Sequence, residues 1–275
     1  MNRDIFEYDM AARAAEKGAK IKMKANVREL ILKDDGTPAG VRVMVAGEMQ
    51  DHYAKVIIAA DGVESRIARQ AGVNTALKPE DIEPCVQITA SNIHLPETAL
   101  YLYVGYCYAP GGYAWVFPKA NHCANIGLGI NGKYSESSRP AAYYMENFMQ
   151  RFSRCLHTAL YNRRRSVSTN LRPLTKNNLL IAGDAGRMVN PLNGGGITHA
   201  IYSGIQAGKM AADTCERPGK MAAYFLFTRR TFSGSSERTT STSTGSKMWS
   251  ISLRIKIITV SVRKSLRSIS KSAVF

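Results

Sequence analysis

The chain has 275 residues, of which 45% are hydrophobic, and it carries a formal net charge of +16. This length allows one or two domains with a sizeable core, and the hydrophobic fraction is ordinary for a soluble protein. No run approaches the roughly 18–20 apolar residues of a membrane span. The N-terminus, MNRDIFEYDM, lacks the apolar segment of a secretory signal peptide.

The five cysteines are scattered, odd in number and free of any CxxC spacing; they are Cys85, Cys107, Cys123, Cys155 and Cys215. This pattern is typical of reduced thiols rather than of disulfides or a zinc site. We therefore expect a cytoplasmic protein with no metal centre.

The first 77 residues show an α/β pattern. The predicted elements are a helix at Asp4–Lys17, a hairpin of Val27–Leu32 and Val41–Val45 around DDGTPAG, and a strand at Ala54–Ala60. The last run, AKVIIAA, is continuous and apolar, which is typical of a strand covered on both faces. It ends at Asp61-Gly62, and a short helix is expected after it.

The pattern changes near residue 78. Segments rich in Tyr and Val predict strands of a mainly antiparallel sheet, at Cys85–Leu95, Leu100–Tyr106, Tyr113–Phe117 and Ala124–Ile130. A helix is predicted at Arg139–Leu160, and Arg163–Arg165 are interpreted as a solvated turn. A buried strand at Leu179–Ala182 and a helix at Gly196–Thr214 then resume the α/β pattern. The order predicts a Rossmann-like nucleotide-binding domain interrupted by a second domain.

The segment between that last strand and helix, GDAGRMVNPLNGGGI, is suited to binding a ligand. Asp184 follows the strand, so its carboxylate lies where open α/β sheets bind ligands and can accept hydrogen bonds from a sugar or ribityl hydroxyl. Gly194, Gly195 and Gly196 let bare backbone approach a flat ligand. The helix directs N–H groups and its positive dipole end towards it. These features predict a site for a polyol phosphate attached to an electron-accepting ring; the alternative is a flexible surface loop.

This segment resembles the second flavin motif of the para-hydroxybenzoate hydroxylase-type FAD-dependent oxidoreductases. Within that group it is most similar to the geranylgeranyl reductases, in particular the archaeal digeranylgeranylglycerophospholipid reductases. VIIAADGVESRIARQAG resembles the family's Asp-Gly segment, APGGYAWVFPK its substrate-domain signature, and ANIGLGI the strand after it. The resemblance covers roughly residues 1–215, and the motifs stand in the family's order.

The resemblance implies that FAD is the cofactor. It places Asp184 at the ribityl and pyrophosphate region, and Gly195, Gly196 and Ile197 at the flavin, with the backbone groups of the last two against the isoalloxazine. Val27 would contact the adenine side and Arg3 a phosphate. Asp61 and Gly62 would support the pyrophosphate. The implied domains are 1–77 and 171–215 for FAD, 78–170 for the substrate, and an atypical tail at 216–275.

One part of the family pattern is missing from this sequence. The family opens with a strand and a GxGxxG turn that hold the FAD pyrophosphate, whereas this chain opens at the helix that follows them. Gly127, Gly129 and Gly132 also spell GxGxxG, but no helix pattern follows, so we interpret them as a strand end. We therefore predict an incomplete FAD-binding domain and weak or absent FAD binding by this chain alone.

The tail differs from the rest of the chain. Residues 216–275 hold 12 Lys/Arg and two acidic residues, a net charge of +10, and 20 of these 60 residues are Ser or Thr. Regular apolar spacing is lost. We interpret the tail as disordered or read in a shifted frame; the alternative is a genuine basic tail that touches anionic lipid.

The resemblance implies an FAD-dependent reductase that saturates C=C bonds of geranylgeranyl chains in archaeal-type membrane ether lipids by hydride transfer from reduced flavin. Tyr113, Trp115 and Phe117 alternate along one strand and share one face, so we interpret them as walls of an apolar prenyl pocket. The alternative is a packed sheet core. No catalytic residue is identified; His122 and His199 are interpreted as structural.

The expected partners are a prenylated glycerophospholipid or another geranylgeranyl substrate, an electron donor (reduced ferredoxin or NAD(P)H), and a membrane surface contacted peripherally; no nucleic acid is expected. An FAD-dependent aromatic monooxygenase is an alternative function with the same flavin motifs, although YAWVFPK speaks against it. An alternative of another class is an inactive fragment, or a basic protein that binds membrane or nucleic acid through its tail.

Overall fold

The computed structural model describes residues 2–152, 156–166, 173–190, 193–217, 254–259 and 273–274. The chain divides into two compact units. Unit 1 comprises Met1–Thr75, Leu171–Gly186 and Ala200–Phe232, and unit 2 comprises Ala76–Asn170, Arg187–His199 and Ser233–Phe275. The mixture of helices with antiparallel sheets confirms the predicted fold class, whereas the assignment of domains to FAD and substrate stays a prediction.

The elements follow in chain order. They are α1 (Arg3–Glu16), β1 (Ala25–Leu32), β2 (Pro38–Val45), β3 (Glu48–Tyr53), β4 (Ile57–Ala59), α2 (Arg66–Gln70), β5 (Ile82–Ser91), β6 (Ala99–Val104), β7 (Tyr113–Lys119), β8 (Cys123–Gly129), α3 (Ala141–Met149), β9 (Leu156–Ser166), β10 (Thr175–Lys176), β11 (Leu179–Ile181), α4 (Ile197–Glu216), β12 (Arg254–Thr259) and β13 (Ala273–Val274). Short 3₁₀ turns lie at Pro79–Asp81, Gly132–Tyr134, Gln150–Phe152 and Gly183–Gly186.

Unit 1 contains an antiparallel sheet in the order β1-β2-β3. Arg42 of β2 lies opposite Glu29 and Asp51 in the register, and its guanidinium bonds both carboxylates, at 3.1 Å and 2.8 Å. The sequence pattern predicts only the first two strands. The third, EMQDHY, is polar, so its pairing depends on cross-strand contacts rather than on apolar alternation.

A second sheet of unit 1 has the order β10-β11-β4, with β11 parallel to β4. Leu179, Leu180 and Ile181 are fully buried, as expected for a covered strand. The expectation that both faces of β4 are covered is wrong, because Ile58 is 40% exposed. Only alternate side chains of β4 face a packed layer.

Unit 2 is built on a sheet in the order β13-β12-β6-β7-β8-β5-β9. All neighbouring strands are antiparallel except β12, which runs parallel to β6. Alternate residues of β5, β7 and β8 pack against α3 through Met145 and Phe148 to form the main core, and they include Val86, Ile88, Ala114, Val116, Ile126 and Leu128. The remaining side chains of these strands therefore face the other side of the sheet.

The region after α3 differs from the predicted long helix. The helix ends at Met149, and β9 begins at Leu156 and pairs with β5 along its whole length. Arg163–Arg165 consequently lie within β9, with Arg165 opposite Glu83, and not in a turn. Pairing with a distant strand has overridden the local helical spacing.

Two short strands lie in the predicted tail. Residues 254–259 pair in parallel with β6, and residues 273–274 pair with residues 256–257. The alternation of apolar and polar residues in RIKIIT is compatible with a strand. Apart from these strands and residues 216–217, the tail lies outside the described residues.

Candidate functional site

The aromatic row of β7 forms a continuous surface on one face of the sheet of unit 2. The ring centroids of Tyr113 and Trp115 are 5.7 Å apart, and those of Trp115 and Phe117 are 6.0 Å apart with the rings nearly parallel. Ala114 and Val116, which alternate with them, lie in the core on the opposite face. The predicted shared face is therefore present in the structure.

Trp115 is held in place by its neighbours on adjacent strands. Its indole Nε1 donates a hydrogen bond to Oε1 of Gln87 at 3.2 Å. Its ring lies across Gly127, where an added Cβ atom would come within 2.5 Å of Cζ2. Only 6% of Trp115 is exposed, whereas Tyr113 and Phe117 are half-buried. The centre of the row is thus fixed, and its two ends remain partly open.

Polar groups of β5 share the aromatic face. Gln87 lies beside Trp115, and the hydroxyl of Thr89 donates a hydrogen bond to Oδ1 of Asn125 at 3.0 Å. Glu83 is buried at the end of the strand, with Oε1 close to the turn that precedes β7. The face therefore presents an apolar strip flanked by hydrogen-bonding groups.

The Gly111-Gly112 turn positions the start of the aromatic row. Gly111 has a φ of +66°, which favours glycine. A Cβ atom at Gly112 would lie 2.1 Å from the carbonyl oxygen of Gly129, so only glycine allows β7 to begin so close to β8. This close approach explains why two glycines precede Tyr113.

Asp184 lies in the 3₁₀ turn that follows β11. The amide of Gly183 donates a hydrogen bond to Oγ of Ser203 at 3.0 Å, and that hydroxyl donates to the carbonyl of Ala200 at 3.1 Å. Ser203 is fully buried and ties the turn to α4. Burial raises the pKa of the Asp184 carboxyl, and the positive charge of Arg3 partly opposes that shift.

The glycine-rich end of the loop is organised by backbone and side-chain hydrogen bonds. Asn190 donates from its amide to the carbonyl of Gly195 at 3.0 Å, and Gly195 donates to Oδ1 of Asn193 at 2.9 Å. Gly196 directly precedes α4, which begins at Ile197 and whose first N–H groups have no acceptor within the helix. These N–H groups can bind an acceptor on a ligand.

The aromatic row and the glycine-rich end of the loop are connected within unit 2. The hydroxyl of Tyr113 donates a hydrogen bond to the carbonyl of Asn193. Gly195, Gly196 and Ile197 belong to unit 2, as β7 does. Sequence reasoning missed this bond, because 80 residues separate its partners.

The other predicted cofactor residues lie in unit 1. Arg3 forms an ion pair with Glu7 on α1, and Val27 is 42% exposed on β1. Asp61 accepts a hydrogen bond from the amide of Ile67 at 3.0 Å, which satisfies a donor at the start of α2. Gly62 has a φ of +79°. The role of each in binding FAD stays a prediction.

The two histidines that we interpreted as structural have local partners. The ring of His122 lies 4.5 Å from that of His94, and Nδ1 of His199 lies 3.3 Å from the carbonyl oxygen of Gly195. In the described part of the chain, no three His, Cys, Asp or Glu side chains form a group that could hold a metal ion. None of the helices described there is long and apolar enough to cross a membrane.

Comparisons with known proteins identify relatives of both units. Residues 81–160 match the family model described as the geranylgeranyl reductase catalytic domain. A digeranylgeranylglycerophospholipid reductase of Methanocella arvoryzae is 38% identical over 228 residues, covering 82% of this chain and 57% of the relative. A second, from Methanosphaerula palustris, is 39% identical over 223 residues, or 79% of this chain and 54% of the relative. The chain therefore spans about half the length of these curated relatives.

A solved structure of a geranylgeranyl reductase-like protein is also similar to this chain. The geranylgeranyl bacteriochlorophyll reductase-like protein of Thermoplasma acidophilum is 32% identical, with a TM-score of 0.79 over 84% of this chain and 59% of that protein. The flavin-dependent brominase Bmp2 has a TM-score of 0.67 at 20% identity, over 82% of this chain and 58% of its own, which shows a shared fold alone.

Proposed function

We propose that this chain, a member of the geranylgeranyl reductase family, binds a geranylgeranyl chain along the aromatic row of β7 and serves the FAD-dependent saturation of its C=C bonds. The observation that carries the proposal is the row of Tyr113, Trp115 and Phe117, whose centre is fixed and which lies within the residues matched to the family's catalytic domain. A row of aromatic rings on a sheet face suits a long apolar chain, because contact removes from water the apolar surface of the chain and of the half-buried Tyr113 and Phe117.

The loop residues have the chemistry that a flavin requires. The Asp184 carboxylate can accept hydrogen bonds from ribityl hydroxyls, and the first N–H groups of α4 can donate to carbonyl oxygens of the ring. Gly195 and Gly196 present no Cβ atom to a flat ligand. These residues fit FAD, and we propose that Arg3, Val27, Asp61 and Gly62 support its phosphates and adenine side.

The chain's own residues would orient the substrate and keep water away from it. Reduced FAD, when bound, supplies the hydride that an alkene needs. Trp115 is fixed by Gln87 and Gly127, so the prenyl chain would meet a preorganised wall rather than a mobile side chain. Tyr113 would hold the glycine-rich loop beside that wall through its hydrogen bond to the carbonyl of Asn193.

The proposed substrate is a geranylgeranyl chain of a membrane ether lipid, in keeping with the names of the curated relatives. Because such a substrate lies in a bilayer, we propose that the protein is cytoplasmic and contacts the membrane peripherally. The electron donor would be reduced ferredoxin or NAD(P)H. The proposal involves no metal centre and no nucleic-acid partner.

The reduction of a geranylgeranyl lipid by the purified chain tests this proposal. FAD is supplied in excess and reduced with dithionite, and the lipid is analysed by mass spectrometry. We expect a gain of H₂ for each saturated double bond, and we expect it to be lost without FAD. Oxygen uptake coupled to NADPH with an aromatic substrate, and no change in the prenyl lipid, would instead indicate the monooxygenase alternative.

A further inference from the structure

Two turns of unit 2 form one exposed tip next to the aromatic row. We call it the tyrosine tip and define it as residues 104–107 and 132–134. Beside the tip, the amide of Asn131, which precedes the second turn, donates a hydrogen bond to the carbonyl of Pro110, which follows the first, at 2.9 Å. A Cβ atom at Gly111 would lie 2.9 Å from the ring of Tyr134, so the tip packs against the turn that leads into β7.

The first turn of the tip, Val-Gly-Tyr-Cys, carries no charge and faces outwards. Tyr106 is 68% exposed, Val104 is 38% exposed, and Cys107 is exposed as well. The hydroxyl oxygens of Tyr106 and Tyr134 are 2.9 Å apart, and their rings meet edge to face with centroids at 5.5 Å. Because the two hydroxyls bond each other, moving the rings into a less polar medium costs less than it would for unpaired hydroxyls.

The charge carried by the tip itself, on Lys133, suits an anionic partner. The hydrogen bond with Tyr134 raises the pKa of the Tyr106 hydroxyl, and the nearby positive charge of Lys133 opposes that shift. The Lys133 side chain is exposed, and Glu136, the acidic residue that follows, is paired with Arg139 at 3.2 Å. Lys133 is thus the one charged residue of the tip itself. Glu80 and Asp81 lie on the 3₁₀ turn that packs against Gly132, where the ammonium group of Lys78 lies 4.0 Å from the Glu80 carboxylate and the Lys78 amide donates a hydrogen bond to Asp81.

We propose that the tyrosine tip is the surface by which unit 2 contacts an anionic lipid bilayer, with the rings of Tyr106 and Tyr134 at headgroup level and Lys133 among the headgroups. Tyrosine favours this interface because its ring is apolar and its hydroxyl polar, and a lysine stem can extend its charge towards phosphate. The proposal rests on the proposed function: a prenyl lipid drawn from the bilayer would pass the Gly111 turn before it reaches Tyr113.

Fluorescence quenching by brominated lipid locates the contact. The full chain carrying Tyr106→Trp is mixed with vesicles of equal parts phosphatidylglycerol and brominated phosphatidylcholine, and the signal of the parent chain is subtracted. Tyr53→Trp is the matched control, because Tyr53 is 71% exposed but belongs to unit 1. We expect quenching of the tryptophan at 106 and none at 53. Equal quenching at both positions, quenching at neither, or no vesicle binding would overturn the proposal.

Vesicle sedimentation provides a second, independent measurement. Tyr106→Ser combined with Lys133→Gln should weaken binding to these vesicles on the order of tenfold, since one aromatic contact and one charge are lost. Tyr53→Ser should leave binding unchanged. Unchanged binding of the double variant would assign the contact to another surface, such as the basic residues 216–275, and would refute the proposal that the tyrosine tip contacts the bilayer. Neither measurement needs FAD or catalysis, so both can be interpreted even if the reductase assay fails.

Discussion

The hydroxyl of Tyr113 donates a hydrogen bond to the carbonyl of Asn193 and so joins the aromatic strand to the glycine-rich loop. Tyr113→Phe keeps the ring and removes this bond. We expect local opening of the loop to become easier by about 1 kcal/mol, which corresponds to roughly fivefold faster amide exchange. Hydrogen–deuterium exchange of peptides covering residues 193–199 measures the effect. Tyr143→Phe, on α3, serves as the control; equal exchange in the parent and in Tyr113→Phe would show that the bond does not hold the loop.

The close approach of Trp115 to Gly127 predicts a strong effect of one methyl group. An added Cβ at Gly127 would lie 2.5 Å from the indole and 2.7 Å from the carbonyl oxygen of Val86. Gly127→Ala should lower the free energy of unfolding by about 1–3 kcal/mol and change the fluorescence emission of Trp115. Gly208→Ala is a matched control, because nothing lies within 4 Å of its added Cβ atom. Parent-like stability and emission in the Gly127 variant would contradict the described packing.

The raised pKa of the Asp184 carboxyl predicts a pH-dependent change in stability. The folded state binds this proton more tightly than the unfolded state does, so stability falls as pH rises from the ordinary value of 3.8 to the raised folded value. Asp184→Asn removes this loss. We expect the variant to be more stable than the parent at pH 7, and the difference to disappear below pH 3.8.

Urea titrations at both pH values measure this difference. Asp35→Asn is the control, because a hydrogen bond from the Thr37 amide lowers the pKa of Asp35, so the same substitution should give no gain at pH 7. A loss of stability in Asp184→Asn at neutral pH would show that the folded protein stabilises the charged carboxylate, which would contradict the raised pKa. The variant should also bind FAD more weakly if the carboxylate accepts ribityl hydroxyls.

Asn178 fastens the antiparallel sheet of unit 1 to the β11–β4 pair. Its side-chain Nδ2 donates to the carbonyls of Pro38 and Lys55, at 2.6 Å and 2.9 Å, and its backbone carbonyl accepts from the amide of Ile57 at 3.0 Å. Asn178→Ala should cost about 1–3 kcal/mol, because partly buried carbonyls lose their donor. Thermal unfolding compares it with Asn26→Ala at an exposed position of β1. Equal melting temperatures for the two variants would refute the role of Asn178.

Local sequence patterns predict much of the sheet in unit 2. Alternation and composition place β6, β7 and β8 within a few residues of their bounds, because each has one covered and one less covered face. The spacing of Tyr113, Trp115 and Phe117 likewise predicts their shared face. The family resemblance is confirmed by the relatives and by the match to the catalytic-domain model.

Long-range pairing explains most of the differences. Strand β9, which contains Arg163–Arg165, follows a segment with helical spacing. Its strand conformation depends on pairing with β5. The bonds from Asn178 and from Ser203 to Gly183 also join residues that are far apart in sequence. A single asparagine or serine gives no local signal of such a role. The local sequence also gives no sign that the ring of Trp115 lies across Gly127.

The binding of a prenyl chain along β7 is the central claim, and photolabelling tests it most directly. A geranylgeranyl lipid carrying a diazirine at the end of its prenyl chain is crosslinked to the full chain, and the labelled peptides are identified by mass spectrometry. The account predicts labelling within Tyr113–Lys119, reduced by Trp115→Ala and by competition with unlabelled lipid. Labelling confined to other segments, or insensitive to competitor, would contradict it.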